Sequence, residues 1–372
     1  MNPMEGASAA ERVLLRQASI GLTPINGSIE LLPLCNMNCD MCYVRLSREE
    51  MERQGRLRTA EEWLSVARQM KEAGTLFLLL TGGEPLIYPD FRRLYLELRN
   101  LGMLVTINTN ATLIDEEWAA FFGEHRPRRI NITLYGADER AYRELCHYPG
   151  GFERTLRGIR LLRERNVEVR ISFCVTRENA ENLERVIAIT KELNVPILVD
   201  PYMVPAERER NRPFDQQSRL TPEQAAQAYC KAMELILSRQ EYLMGSAKLL
   251  WEMVHQQIDR QKSSCPAGRA SFSVNWQGQL HPCVMQVSPA ADVFHVGFAE
   301  AWRQVVQGMK SIHLSNQCRD CRLRLICRTC SAAALYETGS YGAVPDYMCR
   351  YTKERIWLMT KALQDMQKDR IG

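Results

Sequence analysis

The sequence predicts an α/β protein: a partial, six-unit strand–helix barrel with a parallel sheet, followed by a small cysteine-rich domain and a closing helix. Three observations predict it. From about residue 28 to 204, short apolar, β-branched runs alternate with longer amphipathic stretches, as repeated strand–helix units require. A proline-bounded charged loop, Pro205 to Pro213, then breaks the pattern. Finally, the thirteen cysteines fall into groups: Cys35, Cys39 and Cys42 near the start, seven after residue 264, and only Cys146, Cys174 and Cys230 alone.

The six strands are expected at 29–34, 76–80, 104–108, 130–134, 167–173 and 196–201. Helical periodicity fills 59–73, 90–100, 115–122, 139–165 with an interruption at Pro149-Gly150-Gly151, and 179–193, with Gly or Asn following several of them. Beyond the break, helices are expected at 222–241 and 246–261, and a last one at 353–366. The chain thus divides into an N-terminal extension (1–27), the barrel (28–204), a linker with bridging helices (205–262), the cysteine-rich domain (263–350) and the C-terminal helix (351–372).

Composition narrows the function classes. At 372 residues, with 45% hydrophobic and 25% charged residues, the chain can bury two unequal cores. No apolar run is long enough to span a membrane, and the first residues lack the pattern of a signal peptide, so a cytoplasmic location is expected. A net charge of +4 is too small and unclustered to argue for nucleic acid. In a reducing compartment, so many cysteines point to metal ligation or catalysis rather than disulfides.

Directly after the first strand stands Cys35-Asn36-Met37-Asn38-Cys39-Asp40-Met41-Cys42-Tyr43. Three thiolates on a four-iron cubane leave one iron without a protein ligand, the open position of a catalytic centre. A zinc knuckle is the other reading, but no His or Cys follows nearby to complete its tetrahedron. After the second strand comes Thr81-Gly82-Gly83-Glu84-Pro85. Its glycines permit close backbone approach and its carboxylate can balance a cation.

Together these motifs resemble the radical S-adenosylmethionine (SAM) superfamily. The C-x3-C-x2-C loop with an aromatic next to its last cysteine matches the family's cluster loop, and Gly82, Gly83, Glu84 and Pro85 match its GGEP motif, which holds the cofactor's ammonium group. Asn108-Thr109-Asn110-Ala111-Thr112 is similar to the polar strand end that faces the cofactor. The resemblance further implies that Thr133 and Arg157 hold the methionine carboxylate and that Tyr43 packs against adenine. The fold it implies is a partial (β/α)6 barrel with its site at the carboxyl ends of the strands. The activity it implies is reductive cleavage of SAM to a 5′-deoxyadenosyl radical that takes a hydrogen atom from substrate.

Cys265, Gly278, Cys283, Cys318-x2-Cys321-x5-Cys327-x2-Cys330 and Cys349 resemble the SPASM domain of radical enzymes that modify peptides and proteins, apart from an x2 spacing between Cys327 and Cys330 where x3 is usual. The resemblance assigns Cys318, Cys321, Cys327 and Cys349 to an outer auxiliary cluster, and Cys265, Cys283 and Cys330 to an inner one whose fourth site is open, substrate-bound or filled by Cys230 or Cys174. Cys146 and Cys174 otherwise read as buried small apolar residues. Three [4Fe-4S] clusters and SAM are therefore the expected cofactors.

Asp200 and Tyr202, at the end of the sixth strand, are candidates to take a proton from a substrate radical. The 207–210 Glu-Arg-Glu-Arg run reads as a solvated loop or a lid. The expected substrate is a ribosomally made peptide or protein, with a separate leader-recognition protein and a flavodoxin- or ferredoxin-type reductant as partners, and neither nucleic acid nor membrane. A sulfatase-type maturase, or an oxidoreductase acting on a tetrapyrrole or sugar, is the alternative within the class. A non-catalytic iron–sulfur electron carrier is the alternative outside it.

Overall fold

The computed structural model describes residues 9–205, 209, 211–255, 265–327 and 329–371. Its strands are β1 Asn26–Glu30, β2 Phe77–Thr81, β3 Leu104–Thr109, β4 Arg129–Thr133, β5 Val169–Cys174, β6 Ile197–Asp200, β7 Ser271–Val274, β8 Gln279–His281 and β9 Ala291–Asp292. The helices of the strand–helix units are α1 Ala9–Gly21, α2 Arg48–Gln54, α3 Ala60–Glu72, α4 Phe91–Asn100, α5 Glu116–Glu124, α6 Glu139–Glu144, α7 Gly151–Glu164 and α8 Leu183–Glu192. Those that follow are α9 Pro222–Ile236, α10 Arg239–His255, α11 Val293–Val296, α12 Phe298–Met309, α13 Asn316–Arg319, α14 Ser331–Thr338 and α15 Asp346–Ile371.

All nine strands form one open sheet in the order β6-β5-β4-β3-β2-β1-β7-β8-β9. The six-strand parallel array is as expected, but the cysteine-rich region does not stand apart from it. Strand β7 pairs in parallel with β1, placing Phe272 beside Gly27 and Ser273 beside Ser28. Ser28 donates its hydroxyl to Ser273 across this seam at 2.9 Å. A Cβ on Gly27 would stand 2.2 Å from the Phe272 ring, so glycine is what lets the two strands meet. The first strand accordingly lies three residues earlier than its hydrophobicity suggests. Asn26, Gly27 and Ser28 pair, while Leu31 to Leu34, broken by Pro33, lead out of the strand into the cysteine loop.

The sheet has two unlike faces because alternate residues point to opposite sides. One row, Ile29, Leu80, Ile107, Ile130 and Val169, runs in register across β1 to β5. These side chains are almost fully buried and join Trp63 and Met70 of α3, Leu94 of α4, Phe122 of α5 and Ile159 of α7 in a single core. The opposite face carries polar side chains, described below.

The three long helices after the barrel differ from expectation. α9 ends at Ile236 and α10 starts at Arg239, because Ser238 and Glu241 cap each other there: the Ser238 amide donates to Glu241 at 2.8 Å, and the Glu241 amide donates back to Ser238 Oγ at 3.2 Å. The end of the helix expected at 246–261, from 256 on, and residues 207, 208 and 210 of the expected lid lie outside the described residues. α15 begins at Asp346, directly after Pro345, rather than at 353, and so takes Cys349 into its first turn. Among the described residues no helix is long and apolar enough to cross a membrane.

Gly27→Ala should lower stability by about 1–3 kcal/mol, since the Phe272 ring must shift to admit the methyl group. Anaerobic denaturant unfolding of the whole chain checks this, and a change within a few tenths of a kcal/mol would contradict the close packing of β1 on β7.

Candidate active site

The cysteine loop is built into the protein by its neighbours rather than by its own secondary structure. Asn38 and Asp40 donate backbone hydrogen bonds to the carbonyls of Cys146 and Leu145, each at 3.0 Å, and Asp40 meets His147 at 2.9 Å. Asn110 donates to Asn36 Oδ1 at 2.9 Å and lies 3.8 Å from Cys35 Sγ. Asn36 in turn donates to Thr112 at 2.8 Å. Backbone amides point at two of the sulfurs, Met37 at Cys35 (3.4 Å) and Arg45 at Cys42 (3.3 Å). Such N–H donors stabilise thiolates, and outer hydrogen bonds of this kind tune metal-bound sulfur.

Burial pushes the Cys35 thiol up to about 12, with Glu84, Cys39 and Cys42 adding to the rise. Cationic iron would favour the thiolate form by supplying the missing positive charge. Cys39 touches a fourth thiol, the fully buried Cys146, whose hydrogen bond holds the Cys39 pKa below its ordinary value. The reading of Cys146 as a small buried residue fits, but its place behind the loop has no signal in a sequence separation of over a hundred residues. Among the described residues no three side chains converge as round a single metal ion. The thiolates of a cubane each bind a different iron and so stand further apart than the roughly 3.8 Å between sulfurs on one tetrahedral zinc. The three sulfurs on one loop, with donors aimed at two of them, suit such a cluster.

The Gly82–Pro85 turn is locked to this loop. Gly83 and Glu84 donate their amides to the carbonyls of Leu32 and Leu34 at 2.8 and 2.9 Å. A Cβ on Gly82 would meet the Leu32 oxygen at 2.4 Å, and one on Gly83 the Leu34 oxygen at 2.2 Å, so the glycines are required by protein packing before any ligand arrives. Pro85 opens the short turn that follows. The Glu84 side chain is turned inward and fully buried. Its carboxylate accepts from Thr109 Oγ1 (2.7 Å), the Asn110 amide (2.8 Å) and the Leu86 amide (3.1 Å). Burial raises its pKa to about 7 while these donors pull it back. The carboxylate expected, with the backbone of the turn, to grip an ammonium group is thus held by three donors of the protein itself.

The polar face of the sheet places several predicted residues together. Glu30, Thr81, Asn108, Asn131 and Arg170 lie side by side on five neighbouring strands. Glu30 pairs with Thr81, the last residue of β2 before the glycine turn. Asn131 donates to Asn108 at 2.8 Å. Thr133 stands one step higher on β4, beside Ser172. Tyr43 is 49% exposed, yet its phenol end is enclosed between Thr81 and Glu30, and desolvation first, then the Glu30 charge, raise its pKa. Asp200 pairs with Cys174 on the same face and accepts from the Tyr202 amide at 3.2 Å.

Two predicted residues are directed elsewhere. Arg157 lies on the outside of α7, 60% exposed, paired with Glu116 at 2.6 Å. The face of α7 that meets the site carries Thr155, which donates to the Asn110 carbonyl at 3.1 Å, and Gly158, packed on Ala111. Residues two apart on a helix do not share a face, so Arg157 is turned away. Tyr202 sends its hydroxyl to Glu337 of α14 at 3.2 Å. Glu337 forms a buried ion pair with Arg219, which also donates to the Met203 carbonyl at 2.7 Å. Tyr202 thus belongs to the joint between barrel and C-terminal region, where a buried phenol finds a carboxylate.

The C-terminal cysteines gather in two sets. Burial raises the Cys349 thiol, and its other influences are Cys327, Cys318 and Cys321. Burial pushes Cys283 up to about 11, with Cys265 and Cys330 adding to it. The Gln286 and Ala333 amides point at Cys283 and Cys330 at 3.2 and 3.4 Å, the latter because Cys330 caps α14. Cys174 lies instead beside Asp200, and Cys230 packs with Tyr242 and Leu243 near α15.

A three-cysteine loop locked to a glycine turn, over the carboxyl ends of a parallel sheet, defines a radical SAM site, and residues 29–189 match the family described as Radical SAM superfamily. The stretch that matches is a radical SAM domain, and the chain is an enzyme, which removes the electron-carrier alternative. It is 25% identical over 330 residues to an AdoMet-dependent heme synthase of Methanosarcina barkeri, covering 84% of this chain and 92% of the relative. Two solved structures share its fold. Streptococcus suis SuiB bound to precursor peptide SuiA has a TM-score of 0.67 at 18% identity, over 91% of this chain and 78% of SuiB. Native anSMEcpe with bound AdoMet has 0.69 at 19%, over 93% and 100%.

Two outcomes follow from the site's charges. Burial lifts Glu30 to about 7 from 4.5, with the Tyr43 hydrogen bond opposing. Between those pH values the native protein keeps a proton that the unfolded chain has released, so stability falls as pH rises through the window, by up to about 3 kcal/mol. Glu30→Gln should flatten that part of the stability profile; an unchanged profile in anaerobic unfolding would show that Glu30 does not titrate there. Glu337→Ala strands Arg219, whose side chain is only 3% exposed, and should cost about 3–5 kcal/mol. Calorimetry that finds less than about 1 kcal/mol would rule out a tight joint.

Proposed function

We propose that this enzyme abstracts a hydrogen atom from the side chain of a carboxylate-bearing tetrapyrrole. The observation that carries the reading is the heme-synthase relative, aligned over nearly its whole length. When bound, the cluster and SAM supply the reducing electron and the hydrogen-abstracting radical. The chain supplies orientation. The backbone of the Gly82–Glu84 turn meets the methionine end of SAM, with Asn108 and Thr133 on the neighbouring strand ends. The half-exposed Tyr43 offers its ring to adenine, and Asp200, beside Cys174 on the polar face, takes up a proton from the oxidised substrate.

Cys35, Cys39 and Cys42 hold the SAM-binding cluster, and the two C-terminal cysteine sets hold auxiliary clusters that accept the electron the substrate gives up. A cytoplasmic location keeps these thiols reduced, and a flavodoxin- or ferredoxin-type protein delivers the electron. A peptide substrate, presented by a separate leader-recognition protein, is the second reading; the resemblance of the seven C-terminal cysteines to the SPASM domain favours it.

The test is anaerobic turnover with SAM, reduced flavodoxin and iron coproporphyrin III. Substrate-dependent 5′-deoxyadenosine and a porphyrin of altered mass are expected. Stimulation by a short precursor peptide but not by the porphyrin would exchange the two readings. Replacing Cys35, Cys39 and Cys42 together by Ala should remove about four irons per chain and all 5′-deoxyadenosine; retention of either would overturn the assignment of the loop.

A further inference from the structure

Arg355 of α15 is a guanidinium 8% exposed, and the groups it touches are neutral. Nη1 donates to the Ile326 carbonyl at 3.5 Å. Cζ lies 3.9 Å from the centre of the Tyr229 ring of α9, and 5.4 Å from that of Tyr351, one turn earlier on α15. Nε is buried with no hydrogen-bond partner. Asp200 lies near Tyr351, and Glu234 and Glu354 near Cys230, but among the described residues no carboxylate forms an ion pair with Arg355 itself. The other buried guanidinium, Arg219, is paired with Glu337. Two ring faces and one long carbonyl contact return only part of the hydration that a cation loses on burial.

The elements around Arg355 lead to the outer set of cysteines. Ile326 directly precedes Cys327, and the amides of both donate to the Leu323 carbonyl, at 3.0 and 2.7 Å. α15 carries Cys349 near its start. Arg355 is thus bonded to the segment that presents one sulfur of the set and stands on the helix that presents another. A cubane held by four thiolates is a net anion, and one-electron reduction makes it more so. A cation fixed beside it where water is scarce acts at greater strength than one at the surface.

We infer that Arg355 is the built-in counter-charge of the outer cluster, a positioning residue that raises its reduction potential and so suits it to accept an electron. The inference rests on the reading of Cys318, Cys321, Cys327 and Cys349 as cluster ligands. Net charge near the sulfurs is one of the levers by which a protein sets such a potential.

The test uses the full-length chain with Cys35, Cys39 and Cys42 replaced by Ala, reconstituted anaerobically and titrated with dithionite under electron paramagnetic resonance. About eight irons per chain should remain, and the couple that disappears on Cys321→Ala is the outer one. Arg355→Gln and Arg355→Met should each disfavour reduction of the outer couple about tenfold, about 59 mV for one electron, and leave the inner couple where it was. Arg355→Lys, which keeps the charge, should recover more than half of the shift. A residue that only anchored the loop would change Tm or iron content without moving a potential. An unchanged outer potential in a neutral variant with full iron therefore overturns the inference. If both neutral variants lose the outer cluster, its retention in Arg355→Lys supports the counter-charge, and its loss there as well overturns it. If Cys321→Ala leaves the iron content unchanged, the outer-cluster reading itself falls and the inference with it.

Discussion

The structure depends on the lock between the loop after β1 and the turn after β2. A loop of eight residues with three cysteines has no regular structure to hold its sulfurs in place. Two backbone hydrogen bonds, from Gly83 to Leu32 and from Glu84 to Leu34, tie it to the sheet. Both require a separation that any side chain at 82 or 83 would prevent. The Glu84 carboxylate then carries the order one strand further by fixing Thr109 and Asn110, and Asn110 returns to the cysteine loop through Asn36. The circuit closes on itself. A buried carboxylate with three donors is costly to leave unsatisfied, so each member holds the others in register, and the cluster loop inherits the rigidity of three strands.

The two-faced sheet is the second constraint. Parallel sheets are usually covered on both faces and apolar throughout. Here only the helix-facing row is apolar, and its partner face carries Glu30, Thr81, Asn108, Asn131 and Arg170. Such a face is tolerable only where a polar ligand or solvent meets it. The polar positions of β3, β4 and β5 therefore mark the inner surface of the site.

Much of this was legible in the sequence because it depends on local pattern. The six parallel strands follow from short apolar, β-branched runs set between amphipathic stretches, and the cysteine sets from spacing. The rest depends on contacts between distant residues. Strand β1 is disguised because Asn26, Gly27 and Ser28 are chosen by Phe272 and Ser273, two hundred and more residues away. The motif Gly82-Gly83-Glu84-Pro85 was found by its residue types, but the direction of the Glu84 side chain is set by Thr109 and Asn110. Arg157 was misplaced because a charged residue two positions from the site-facing Thr155 looks equivalent until helical phase is applied. Tyr202 was read as facing the cleft since nothing in sequence joins it to Glu337. Glu30, Asn131, Arg170 and Ser172 were overlooked as interior residues of strands, where polar side chains leave a signal only once the register is known.

The seam between the barrel and the C-terminal region has a mechanical consequence. Two interactions cross it on opposite sides of the cleft: the β1–β7 pairing with Ser28 on Ser273, and the Arg219–Glu337–Tyr202 joint. β1 leads into the cluster loop, and α14, which carries Glu337, is capped by Cys330. The thiols on either side are therefore attached to elements that are themselves bonded to one another. Groups of thiols fixed to bonded elements keep a constant separation and orientation. Continuous sheet on one side and a buried ion pair on the other provide it.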